Sequence, residues 1–406
     1  ALHSLIEYNN NIIYKVDEKE GHNLFTPTIF GGLLPINLVK LFLTFKKKKL
    51  SKTAISIFKA TGGKIDYVNE DIDASTEFLI RKGSKYKHLN GIVESIRKSD
   101  AIVVNGEGTF IFSKPTRREA LFYLIILKTA QHFGKKTYLV NAMFSDGPKN
   151  NTNPELIKIA LPILNSCTYI SVRDMESLSY IKQNGVLAKF DFIPDALFTW
   201  RNVIKTGLEL PNNANLIIPH PEEDRYINKF NFKRKYICLG GSSTAQLNNF
   251  EELIESYTKL TQKLLTLNIE VYLIQTCAGD HFLNEVSHKT AVPIIPVHTP
   301  IFAGASILSN ATIFISGRFH PSILASLGGT PCVFLSSNSH KTKSLQSVLE
   351  YDKIFEYSSM PQDEEIDRIF EQVSNIIEEG DIRRQKIINV VEKRMKEAEN
   401  LKTLIY

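Results

Sequence analysis

Short runs rich in Val, Ile, Tyr and Phe alternate with longer stretches of helical spacing, and the whole alternation occurs twice along the chain. In the first half, residues 64–68, 101–105, 137–141, 168–172 and 189–193 read as buried strands, and 117–133, 154–165 and 174–184 as helices. Strands that are apolar on both faces and are each followed by a helix predict a parallel sheet covered on two sides. Residues 199–235 break the rhythm with Pro211, Asn212, Asn213, Asn215, Pro219 and Pro221, and then a mixed-charge run from Glu222 to Arg225. That composition marks a linker. The alternation then resumes, with strands at 235–239, 269–275, 292–297, 311–316 and 331–335 and helices at 250–267, 301–308 and 321–327. The stretch 363–405 reads as long and helical, with Ile366, Ile369, Phe370, Val373, Ile376 and Ile377 on one face.

The pattern predicts an α/β protein of two Rossmann-like domains facing each other across a cleft, followed by C-terminal helices that either stay with the second domain or cross back to the first. The boundaries fall at 1–205, 206–235 and 236–406. A chain of 406 residues suits two such domains, and 43% apolar with 23% charged residues excludes a disordered or multi-span membrane chain. The net charge of +6 suits acidic small molecules or an anionic surface. It does not argue for nucleic acid, because no aromatic and basic residues are interleaved as in a recognition module. Cys167, Cys238, Cys277 and Cys332 stand singly in apolar runs, which reads as buried thiols in a reducing cytoplasm.

Residues 29–45 are dominated by Leu, Ile and Phe and run directly into Lys46, Lys47, Lys48 and Lys49. Pro35, Asn37 and Lys40 interrupt the segment, which is shorter than the ~20 residues of a bilayer span. Ile29 to Lys49 is therefore either a buried helix with a solvated end or a peripheral contact with an anionic membrane surface.

Candidate chemistry gathers where predicted strands end. Asn105-Gly106-Glu107-Gly108-Thr109 follows a strand, where Gly106 and Gly108 would let the backbone approach an anion, or simply make a turn. In Ser171-Val172-Arg173-Asp174, Asp174 is a helix N-cap with Ser177 at the third position, while Arg173 offers a fork for carboxylate or phosphate, or a surface ion pair. Asp195, after Pro194, either caps the next segment or faces the cleft. Ser316-Gly317-Arg318-Phe319-His320-Pro321 closes a strand and opens a helix with Pro321 at its first position. Alternation along an extended segment would project Arg318 and His320 together, a cation beside a group that titrates near neutrality. The polar run from Ser336 to Lys343 places Lys341 and Lys343 at the same end of the sheet.

In order and spacing these elements resemble the polysaccharide pyruvyl transferase family over roughly residues 98–349. The most specific of them is Ser316-x-Arg318-x-His320, followed by a small-residue helix and Gly329-Thr330-Pro331. The family's usual Asn-x-Gly-Asp turn has only Glu20-Gly21-His22-Asn23 as a counterpart, and Glu107 stands where a third glycine is usual. The resemblance implies a GT-B-like fold and transfer of the enolpyruvyl group of phosphoenolpyruvate onto a sugar diol of a cell-surface polysaccharide or its lipid-linked precursor, closing a cyclic ketal. It implies that Arg173, Arg318 and Lys341 or Lys343 bind the donor, with Ser316, Gly106 and Gly108 beside it, and that His320 is the acid/base. No metal and no cofactor beyond phosphoenolpyruvate as co-substrate is called for, and the expected location is cytoplasmic. A glycosyltransferase of the same architecture using a nucleotide-activated sugar is the alternative, and a non-catalytic carbohydrate-binding protein a third reading.

Overall fold

The protein is described by a computed structural model covering residues 67–148, 151–205 and 230–404. The basic-ended segment from Ile29 to Lys49, the Glu20-Gly21-His22-Asn23 counterpart and residues 206–229 of the expected linker lie outside the described residues. So do residues 64–66 of the first expected strand, and Tyr67 and Val68 are not in a strand.

Contact density divides the chain into two compact units. The first runs to Ala142 and adds Asn151–Ile170 and Gln183–Phe190; the second holds Met143–Asn150, Ser171–Lys182 and Asp191–Tyr406. The stretch after Asp191, which the sequence pattern attaches to the end of the first domain, thus groups with the second unit.

The elements from residue 72 to 205 are α1 (Ile72–Lys82), α2 (Lys87–Lys98), β1 (Ala101–Phe112), α3 (Arg118–His132), β2 (Lys136–Asp146), α4 (Pro154–Asn165), β3 (Tyr169–Val172), α5 (Met175–Gln183), β4 (Phe190–Phe192) and α6 (Arg201–Lys205). The four strands form one sheet in the order β1-β2-β3-β4. Strand β1 does not stop at Asn105: it runs through both glycines, with Glu107 at φ +41° bending it. A side chain at Gly106 would strike Ala142 on the neighbouring strand, so this glycine serves strand packing.

The second sheet contains β5 (Tyr236–Ser242), β6 (Glu270–Ile274), β7 (Ile294–Ile295), β8 (Ile313–Gly317) and β9 (Cys332–Phe334), all parallel, in the order β7-β6-β5-β8-β9. Its helices are α7 (Phe250–Leu265), α8 (Phe282–Thr290), α9 (Ile301–Asn310), α10 (Phe319–Leu327), α11 (Lys341–Val348), α12 (Asp363–Glu379) and α13 (Asp381–Ala398).

The two-residue period of a strand explains why its sequences read as continuous apolar runs. Ile237, Leu239, Ile313, Ile315 and Val333 face one core, shared with Leu253, Tyr257 and Leu260 of α7 and Ile369 and Val373 of α12. Tyr236, Cys238, Phe314, Cys332 and Phe334 face the other, shared with Ile307 of α9, Ile323 of α10 and Val391 of α13. Both faces are covered, so every position of β5 is buried. Cys167, Cys238 and Cys332 are buried and unpaired, and burial pushes the thiol of Cys167 up to about 11 and that of Cys332 to about 12. Among the described residues no helix is long and apolar enough to cross a membrane.

Strand order reverses between β5 and β8, and the carboxyl ends flanking such a reversal are where open α/β sheets receive ligands. Gly241 and Gly317 lie at these ends and are packed hard: a Cβ at Gly241 would enter the Asp280 carboxylate, and one at Gly317 would strike Ser242.

Candidate active site

All the residues of this site described next belong to the second unit. Arg173 follows β3 and is enclosed, with 2% of its side chain exposed. Its Nη1 donates to Asp195 Oδ2 at 2.9 Å and lies 3.2 Å from His320 Nε2, while its guanidinium sits 4.3 Å above the Phe319 ring centroid. Asp195 is equally buried and splits its oxygens: Oδ1 accepts from the Leu197 amide at 2.9 Å to cap the 3-10 turn Ala196–Trp200, and Oδ2 faces Arg173 and, at 3.5 Å, His320. Burial alone would raise the Asp195 carboxyl, but the His320 hydrogen bond and the charges of Arg173 and His320 outweigh it and hold it well below the usual carboxylate range.

His320 is different in exposure: 38% of its side chain reaches solvent. Its Nε2 is turned inward to Arg173 and Asp195, and its Nδ1 has no hydrogen-bond partner among the described residues. The ring is therefore oriented through one nitrogen and can exchange a proton through the other.

Arg318 and His320 do not project together. Helix α10 begins at Phe319, so Arg318 is the extended N-cap and His320 already lies in the first turn, with Pro321 third. The two side chains diverge: Arg318 donates through Nη2 at 2.6 Å and Nε at 3.3 Å to Asp280 Oδ1. Asp280 is fully buried and also accepts from the amide and hydroxyl of Thr276, both at 2.9 Å. Arg318 keeps 17% of its side chain exposed, so it is an oriented cation with an open face. Ser316 is buried and pins the strand end, donating to Gly241 O at 2.8 Å and accepting from the Arg318 amide at 3.1 Å.

The polar run after β9 is not all loop. Lys341 opens α11, and Lys343 points to Glu356 at 3.9 Å while remaining 58% exposed. Burial raises the Glu356 carboxyl despite a hydrogen bond from Thr342 and the charge of Lys343. The residue that turns inward is His340, whose Nε2 lies 3.0 Å from Asp174 Oδ1 and 3.5 Å from Ser177 Oγ. Asp174 is the expected N-cap of α5, accepting from the Ser177 amide at 2.7 Å. Gly106 and Gly108 lie in β1 of the first unit, where Arg117 donates to the Gly108 carbonyl at 2.6 Å. Sequence reasoning therefore missed Asp280 and the inward role of His340. The available signals were a carboxylate, Asp280, a few residues past the carboxyl end of a predicted strand, and a histidine inside a run read for its lysines.

A sequence model of the polysaccharide pyruvyl transferase family matches residues 33–339. The chain belongs to that family. This polysaccharide pyruvyl transferase family member has no match among curated proteins. Its fold is similar to that of a UDP-GlcNAc 2-epimerase from Neisseria meningitidis bound to UDP-GlcNAc, at 12% identity over 87% of this chain and 89% of that one, with a TM-score of 0.53. It is also similar to an Anabaena protein solved with UDP and glucose, at 10% identity over 80% and 82% of the two chains, with a TM-score of 0.50. At these identities the likeness concerns the fold, which is the α/β, GT-B-like class with C-terminal helices. His340 lies immediately past the family match, whereas Arg173, Asp195, Arg318 and His320 lie within it.

Proposed function

We propose that this family member transfers the enolpyruvyl group of phosphoenolpyruvate to a sugar diol of a cell-surface polysaccharide or its lipid-linked precursor and closes a pyruvate ketal. The observation that carries the reading is His320: a solvent-reaching imidazole whose inner nitrogen is held by a buried Arg173–Asp195 pair. The reaction needs a proton delivered to the methylene carbon of the donor, which makes the adjacent carbon electrophilic, and a positioned histidine is the group for that task. Arg318, aimed by Asp280, and Lys341 at the start of α11 supply positive charge for the donor's carboxylate and departing phosphate. Arg173 is too enclosed to grip the donor in this conformation, and its charge acts through His320 and Asp195. Phosphoenolpyruvate is a cytoplasmic metabolite, so the reaction is assigned to the cytoplasm.

The test is phosphate release from phosphoenolpyruvate with and without a panel of hexopyranosides that have free neighbouring hydroxyls. Release is expected only when an acceptor is present, and His320→Ala is expected to lower turnover by about 10²–10⁴-fold. Acceptor-independent release, or turnover of a CMP-, UDP- or GDP-linked sugar in place of phosphoenolpyruvate, would replace this reading with hydrolysis or glycosyl transfer.

A further inference from the structure

Ketal formation from an enol phosphate is two half-reactions, and each moves one proton in and one out. In the addition, the C2=C3 π bond is consumed, C3 gains a proton and the first sugar oxygen bonds to C2 as its own proton leaves. In the closure, the C2–O bond to phosphate breaks with a proton delivered to the leaving oxygen, and the second sugar oxygen bonds to C2 as its proton leaves. Two C–O bonds and one C–H bond form. One C–O bond and one C=C π bond break, and the two hydroxyl protons end on C3 and on phosphate. The four transfers occur at four different atoms, and His320, anchored through Nε2, offers one nitrogen with little freedom to reach them all.

The second unit contains another histidine built to the same plan. His340 reaches solvent with 21% of its side chain, and its Nε2 lies 3.0 Å from a carboxylate, Asp174, that is 1% exposed. The same oxygen of Asp174, Oδ1, accepts from the Ser177 amide and faces His340, while Oδ2 is buried with no hydrogen-bond partner among the described residues. The two histidines rest on consecutive residues, Arg173 for His320 and Asp174 for His340. One sulfur atom touches both arms as well: Met143 Sδ lies 4.0 Å from Arg173 Nη2 and 3.8 Å from Ser339 Oγ.

We propose that His340, oriented by Asp174, is a second catalytic acid/base, serving the leaving phosphate and the second hydroxyl while His320 serves C3 and the first hydroxyl. This rests on the pyruvyl-transfer reading above. A purely structural role, latching the start of α11 to the start of α5, is the competing account, and His340→Gln separates the two. The glutamine amide still donates to Asp174 but cannot take up and release a proton as an imidazole does.

In D2O with phosphoenolpyruvate and a productive acceptor, the His340→Gln enzyme is expected to lose about 100-fold or more in kcat with little change in KM. It should keep washing deuterium into the C3 position of unreacted phosphoenolpyruvate, because the addition still runs and reverses. His320→Gln should abolish the washout itself. Asp174→Asn, which retains the cap through its amide oxygen, should lower kcat by about 10-fold or more, with the melting temperature reporting that the fold is intact. A His340→Gln enzyme with kcat within twofold of the parent, or one that loses washout and turnover together, would overturn the assignment and leave pyruvyl transfer standing. A parent enzyme that turns over no phosphoenolpyruvate with any acceptor would overturn both.

Discussion

Asp195 uses one oxygen to cap the 3-10 turn Ala196–Trp200 and the other to neutralise an arginine that is enclosed by protein. Breaking such a pair from one side leaves a buried charge uncompensated, which costs about 3–5 kcal/mol. Asp195→Asn is expected to lose that much in urea denaturation at neutral pH, while the Leu197 cap survives on the amide oxygen. The pH dependence has a definite sign. The folded carboxyl is depressed, so its contribution is complete above the unfolded carboxyl's pKa of about 4 and is lost as pH falls from there toward the lower folded value. The acid limb of the stability curve should therefore be shallower in the variant, and an unchanged limb would mean that Arg173 does not depend on Asp195. In the sequence Asp195 was visible as a cap or a site residue but not as both, because the second role needs a partner 22 positions away. Arg318 and His320 were legible as a pair in type but not in direction. The alternation rule applies to extended backbone, and helix α10 has already begun at Phe319.

At the level of elements, the junction beneath α13 shows what a sequence motif can be for. Gly329 has φ +84°, and a Cβ there would lie 2.7 Å from Arg384 Cγ and from Ile388 Cγ1 on α13. Arg384 from that helix donates to the carbonyls of Ser309 at 3.1 Å, Gly328 at 2.6 Å and Ala311, closing the carboxyl ends of α9 and α10. Gly329→Ala combines about 1–3 kcal/mol of left-handed backbone strain with displacement of that cap, so its melting temperature should fall by more than the strain alone implies. Arg384→Met should match it by orphaning the carbonyls, and a double variant should lose less than the sum, since both act on one junction. Gly380 at φ +53° divides the C-terminal helical stretch into α12 and α13. Helices α8 and α11 escaped notice in the sequence: at nine and eight residues, rich in Ser, Thr, Asn and Lys, they carry too few apolar positions to show a period.

For the whole molecule, the repeated strand and helix pattern was enough to predict the parallel sheet of the second unit, because apolar runs covered on both faces have few other solutions. Hydrophobic pattern says nothing, however, about which anion a positive site takes, and the donor proposed above and the UDP-GlcNAc bound by the Neisseria meningitidis epimerase both carry phosphate. Ligand-linked stability separates them. A ligand that binds only the folded state stabilises it by about 2.7 kcal/mol at a hundredfold excess over Kd. Phosphoenolpyruvate is therefore expected to raise the melting temperature in a saturable way that weakens as ionic strength rises, since screening reaches a partly exposed cation such as Arg318. Arg318→Met should remove most of the shift. His340→Gln should retain it, because that histidine is assigned to proton transfer and not to holding the donor's charge. Stabilisation by UDP-GlcNAc but not by phosphoenolpyruvate would assign the same oriented arginine to a nucleotide's phosphate and move the chemistry from enolpyruvyl to glycosyl transfer.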